Sequence, residues 1–320
     1  MLNVRLALDT APTTLHSGFL IAQAKGWYQE ADITLTLLDP TLDNYYTSPL
    51  KKLLNNEANL ALAPSEGIIS YQHLREPKPM VAIASVLQQN PFSLATFQTS
   101  GLSRPANLDG KVYGSHGARF ESPVVQQLIR NDGGYGFIRT TPTAPLVLRD
   151  EFAAGHFHFA RINRIWDGLH FELSGRALHY FTPEDYDIPY GYCPVLGAMS
   201  PTLDEYQIEI TQFLAITKYA FEWCCKHPEE AADILSKKGL ASEKNPALIL
   251  KSLTVLPEYM LDPSGEWGIM EESRWINYLE WMNHNSIIKD MDYQFTIAGD
   301  YAPSNYFTND YVNIGHRLTL

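Results

Sequence analysis

Short apolar runs and amphipathic stretches alternate along the whole chain. Val4–Leu8 (VRLAL) has the branched, apolar composition of a short buried strand. It runs into a polar segment carrying Asp9, Thr10, Pro12, Thr13, Thr14 and His16. Phe19, Leu20, Ala22, Gln23 and Ala24 then predict a helix, and Gly26 stands where a helix stops. Ile33–Leu38 (ITLTLL) alternates as a second strand. This is a strand–helix–strand unit with a polar loop at the strand's end. In open α/β sheets ligands bind beyond the carboxyl ends of strands, where helix N-termini offer unpaired N–H groups. A ligand-binding α/β protein is the first expectation.

The same alternation continues. An amphipathic stretch spans Tyr46–Asn56, Asn59–Pro64 (NLALAP) predicts a strand, Ser65–Leu74 a helix, and Val81–Leu87 (VAIASVL) another strand. Phe92–Gln98 (FSLATFQ) reads as a strand crossing into a second lobe, which opens with Leu108–Gly114. A helix over Pro123–Asn131 ends at Asp132–Gly133–Gly134, and a helix over Ala144–Ala154 precedes the strand His156–Ile162 (HFHFARI). Tyr192–Met199 crosses back, and helices near Thr202–His227, Glu229–Lys238, Pro246–Tyr259 and Glu271–Asn285 return to the first lobe. The expected fold class is α/β, with residues 1–91 and 200–320 forming a discontinuous first lobe and 92–199 the second. Two crossings make a hinge, and two lobes on a hinge make a cleft for a ligand.

Composition narrows the function. With 320 residues, 45% hydrophobic and 19% charged, the chain has room for two cores. A net charge of −12, without a cluster of Lys and Arg, argues against nucleic acid as a partner. Cys193, Cys224 and Cys225 do not make a disulfide framework, so reduced thiols are expected. No stretch reaches the roughly 18 apolar residues of a membrane span. No basic-then-apolar leader precedes the first strand, so the expected location is cytoplasmic, or periplasmic or lipid-anchored if a signal has been removed.

The motif A-x-x-x-G-[WY]-[YF]-x-E, here Ala22 to Glu30, follows a P-x-x-x-H loop, here Pro12 to His16. Together with NLALAP, VAIASVL, Leu108–Gly114 (LDGKVYG), Asp185–Pro189 (DYDIP), Tyr219–Pro228 (YAFEWCCKHP) and Trp275–Trp281 (WINYLEW), in that order, they resemble the periplasmic-binding-protein-like (type II) proteins of thiamine-pyrimidine metabolism. That family includes binding proteins for pyrimidine precursors and thiamine pyrimidine synthases. The resemblance implies a two-lobe fold with a hinge cleft and an aminopyrimidine ligand. Such a ligand needs an aromatic face to stack on and carboxylate or amide edges to pair with.

On that resemblance Asp9 is the first candidate for the exocyclic amine, and His16 matches the loop histidine. The family's strand-end tryptophan is absent; Thr10 stands there, so Tyr190 or Trp166 would supply the ring. Ser65 and Glu66 follow the next strand and could cap its helix while facing the ligand. The loop Gly114–Ser122 holds Ser115, His116, Arg119 and Glu121; its N–H groups could receive an anion, with Glu121 pairing either an amine or Arg119. Arg161, Asn163, Arg164, Trp166 and Asp167 are expected where the next strand meets the cleft, and Asp187 and Tyr190 near the hinge. The stripe Phe213, Tyr219, Phe221 and Trp223 is expected to be core.

The synthases hold pyridoxal phosphate on a lysine and consume a nearby histidine, both just after the strand matched by NLAL. Asn59–Ser70 contains neither; the nearest are His73 and Lys78. Without a primary amine a Schiff base cannot form. The synthases' cysteine-rich run, tied to iron, is reduced here to Cys193. His156 and His158 alternate along the expected strand and with His170 could suggest a metal, but no third ligand is set by local spacing. The expectation is therefore a substrate-binding protein for a thiamine pyrimidine precursor, with no cofactor, no catalytic residue and a transporter as possible partner. The alternative is a divergent synthase using pyridoxal phosphate and iron.

Overall fold

A computed structural model describes residues 2–74, 76–145, 147–238, 240, 245–288 and 302–314. The chain divides into two compact units, Met1–Gln89 with Tyr192–Glu272 and Ala302–Leu320, and Asn90–Gly191 with Ser273–Tyr301.

The first unit is built on a five-stranded sheet of order β2-β1-β3-β10-β4, comprising β1 (Leu2–Ala7), β2 (Ile33–Leu38), β3 (Leu60–Ala63), β4 (Met80–Ser85) and β10 (Val195–Met199). β1 runs parallel to β2 and β3, whereas β10 is antiparallel to β3 and β4. β3 and β4 are buried along their whole length, which is why they read as continuous apolar runs, while β2 alternates at the edge. The helix Ser17–Ala24 packs on the helix Gln207–Lys226, where a Cβ on Gly18 would lie 2.4 Å from the Phe221 ring. Only glycine allows that approach. Phe213 and Phe221 are core as expected, but Tyr219 is 45% exposed, so the aromatic stripe is only partly buried.

The second unit repeats the plan. Its sheet has the order β7-β6-β8-β5-β9, with β5 (Phe92–Phe97), β6 (Val112–Ser115), β7 (Arg139–Pro142), β8 (Phe159–Asn163) and β9 (Leu178–Phe181). β6 is parallel to β7 and β8, and β5 is antiparallel to β8 and β9. Ala95, Phe152, Phe157, Ala160, Ile162 and Phe171 form the centre of one core cluster here.

Several boundaries differ from the sequence reading. The first unit resumes at Tyr192 rather than 200, because β10 is a strand of its sheet. The helix Glu272–His284 was expected on the first lobe, yet from Ser273 onward it belongs to the second unit, where Arg274 donates to the carbonyls of Tyr190 and Gly191. The amphipathic stretch from Tyr46 yields only the helix Pro49–Leu54, because Ser48 caps it ahead of Pro49 and Asn56 takes a left-handed angle just after it. The helix expected over Ala144–Ala154 spans Leu148–Ala153, one of its positions lying outside the described residues. His156 and His158 do not lie on a strand: β8 begins at Phe159, after a turn at Gly155 with φ +79°.

Candidate functional site

In each unit the polar residues gather beyond the carboxyl ends of the parallel strands. Within the first unit β1 and β3 are paired at Ala7↔Ala61, so Asp9 and Ser65 follow neighbouring strand ends. Leu15 N–H donates to Thr13 Oγ1, and Thr13 N–H donates to His16 Nδ1 at 3.0 Å, a reciprocal cap at the helix entry. Because Nδ1 accepts, a neutral ring carries its proton on Nε2, which stands 3.0 Å from Asp9 Oδ1. His16 is buried and Asp9 half-buried. The histidine therefore orients the carboxylate and does not face solvent itself. Thr10 is half-buried beside it.

Ser65 does not cap its helix. Pro64 holds the cap position without a side-chain bond, and the Ser65 N–H donates to the Tyr192 carbonyl at 2.8 Å. The fully buried Ser65 Oγ has no partner among the described residues. Glu66, half-buried, sits in the first turn of the same helix.

In the second unit β6 and β8 pair at Gly114↔Ala160, which places the loop after β6 next to that after β8. Glu121, 8% exposed, turns back into its own loop. Its Oε1 accepts from Tyr113 Oη at 2.7 Å and His116 N at 3.3 Å, and its Oε2 from Ser115 Oγ at 2.9 Å and Ala118 N at 3.2 Å. Glu121 supplies internally the anion that the N–H groups of this loop could have taken from a ligand. It does not pair with Arg119, which is exposed over the ring of Phe120. His116 is exposed, its Nδ1 3.1 Å from the Thr143 carbonyl.

Arg161 lies in β8 with its guanidinium 4.8 Å from the Phe92 ring centre and 5.3 Å from that of Tyr190, and its Nη2 donates to Tyr190 Oη at 2.9 Å. Tyr190 is buried, packed against Tyr278 at 5.1 Å, and its backbone carbonyl is held by Arg274 Nε at 3.3 Å. Trp166, 4% exposed, is in a π-helical turn, Arg164–Gly168, capped by Asn163. Such turns recur at functional sites. Asp187 is exposed, with φ +57° at the end of the turn Pro183–Tyr186. Nearby Glu184 keeps solvent contact, but the protein around it displaces enough water to push its carboxyl above the usual range, against the charges of Arg274 and Arg161.

Sequence reasoning missed Glu184, Arg274 and Phe92. Glu184 precedes the flagged DYDIP segment by one residue, a usable signal. Arg274 is 84 residues from its partner Tyr190, and no local pattern connects them. Among the described residues no group of three or more His, Cys, Asp and Glu is placed to hold a metal ion. His158 Nδ1 accepts from Val112 N–H, and burial, then Lys111 and Arg139, hold its pKa below the usual value.

A family model described as "NMT1/THI5 like" matches residues 13–231. A formylaminopyrimidine-binding protein of Halalkalibacterium halodurans is 24% identical over 291 residues, covering 88% of this chain and 84% of that protein. A protein named for thiamine biosynthesis in Haemophilus influenzae is 21% identical over 235 residues, 71% of each chain. Among solved structures, the periplasmic nitrate-binding protein NrtA of Synechocystis PCC 6803 superposes with a TM-score of 0.68 at 14% identity, over 98% of this chain and 88% of that one. The fold is that of type II periplasmic substrate-binding proteins.

Proposed function

The chain belongs to the NMT1/THI5-like family, and we propose that it is a solute-binding protein for a pyrimidine precursor of thiamine. The observation that carries this reading is Asp9, a carboxylate at the end of β1 whose Oδ1 is held by buried His16, leaving Oδ2 to accept an N–H of an exocyclic amine. In the second unit, the Arg161 guanidinium, held over the Tyr190 ring and bonded to its hydroxyl, adds a cationic donor for a carbonyl-bearing ligand. The relative named for binding formylaminopyrimidine, aligned over 88% of this chain, supports that ligand class.

On this reading binding needs neither pyridoxal phosphate nor iron, and the protein hands its ligand to an ABC-type transporter. A place outside the cytoplasm then suits it better than the cytoplasmic expectation. Among the described residues no helix is long and apolar enough to cross a membrane. The test is calorimetric titration with a formylaminopyrimidine, the corresponding aminopyrimidine, and nitrate. Saturable binding of a pyrimidine, with nitrate silent, is the expected result. Heats for nitrate alone would refute the reading.

A further inference from the structure

The amino end of the second unit's parallel strands, away from the loops after β6 and β8, carries a surface that ligand binding does not use. β6 and β7 start together there, in register at Val112↔Arg139. The chain enters β7 through Gly133–Phe137 (GGYGF), which leaves Tyr135 and Phe137 90% and 63% exposed. These are the most exposed large apolar side chains of this unit among the described residues.

The loop is built to hold its rings in that position. Asp109 Oδ2 accepts the Tyr135 N–H at 2.6 Å and Oδ1 the Phe137 N–H at 2.8 Å, while the Gly110 N–H donates to the Phe137 carbonyl at 2.7 Å. Gly136 takes φ +73°, and a Cβ there would lie 2.8 Å from Arg130 Nε, so the Arg130 side chain packs on the loop. Arg139 Nε donates to the Gly110 carbonyl at 3.2 Å, and Lys111 stands between them in sequence register, its carbonyl accepting from Arg139 N–H. Arg130 and Arg139 are exposed and Lys111 is half-buried. Asp132 is matched by Arg104 at 2.9 Å. Even counting Asp109, this edge is positive in a chain of net charge −12.

Exposed rings beside Arg and Lys suit the headgroup level of a bilayer, where aromatic side chains settle and cations meet anionic lipid. Two aromatic side chains bury about 150–250 Å² each, well short of the roughly 800 Å² that a stable protein interface takes from each partner. We propose that this edge docks the second unit on the surface of an anionic lipid bilayer, with Tyr135 and Phe137 in the headgroup layer and Lys111, Arg130 and Arg139 against the lipid phosphates. The acidic remainder of the chain is repelled from such a surface, so the protein meets it by this edge and keeps the loops after β6 and β8 uncovered.

The test is flotation with vesicles of phosphatidylcholine alone, or mixed in equal parts with phosphatidylglycerol, at low and high salt. Wild type should float with the mixed vesicles only, and come off as salt rises. Tyr135→Ser combined with Phe137→Ser should weaken this by about tenfold or more, and Lys111→Gln by about fivefold. Both rings are exposed, so the double variant should keep the wild-type melting temperature. Should it unfold, Tyr135→Trp serves instead: its emission, taken as the difference from wild type, should move to the blue on mixed vesicles, and an unmoved band overturns the proposal. No flotation of wild type, equal flotation on phosphatidylcholine alone, or flotation unchanged in the double variant also overturns it. So does a wild-type dimer that the double variant dissolves while vesicles stay unbound, which would make the edge a contact between copies of this chain.

Discussion

Replacing Glu121 by Gln separates a loop-building carboxylate from a ligand-binding one. The native side chain accepts four hydrogen bonds, two on each oxygen, from Tyr113, His116, Ser115 and Ala118. Glutamine has one acceptor oxygen, so its NH2 must face one of these pairs. Either orientation opposes a backbone N–H, of His116 or of Ala118. The facing hydroxyl can rotate to accept, although Ser115 Oγ already takes the N–H of Gly117 at 3.0 Å. Water can reach His116 and Ala118, which are exposed, but not fully buried Tyr113. Losing charge assistance and stranding one donor should cost about 2 kcal/mol. Amide hydrogen exchange over residues 114–121, read by mass spectrometry, should then quicken by about 30-fold, with a lower urea midpoint for the second unit. Unchanged exchange and midpoint would refute the argument that this carboxylate organises the loop.

Other outcomes follow from the same geometry. Asp9→Asn should keep the contact with His16 but lose the charge, weakening aminopyrimidine binding by about 10- to 100-fold in calorimetry; an unchanged Kd removes Asp9 from the site. Ser65→Ala deletes a buried hydroxyl with no partner among the described residues, so the melting temperature should hold or rise. A clear drop would reveal a protein partner for that hydroxyl. The pKa of His158 is lowered in the folded state, first by burial, so the unfolded chain binds its proton more readily. Its contribution to stability is present above about pH 6.5 and declines as the pH falls below that. The slope of stability against pH there should flatten in His158→Gln, and an identical slope would discount this histidine.

The sequence by itself determined the strand–loop–helix–strand opening, the two α/β units, the family, and most strand positions. These depend on local apolar runs and turn residues, whose physics acts over a few neighbours. It also placed Asp9, Ser65, Ser115 and Arg161 at or near strand ends. What each does there was settled by tertiary contacts. His16 could be read as cap or ligand contact, and became both cap and orienter because Asp9 and Thr13 meet its two nitrogens. Glu121 could face an amine or Arg119, and instead turned inward because Tyr113 and the loop amides converge on it. Arg274 reached Tyr190, and Tyr45 reached Ala11, across 84 and 34 residues. Such contacts depend on which strands become neighbours and in what register, information that is spread over the whole chain and absent from any window of it.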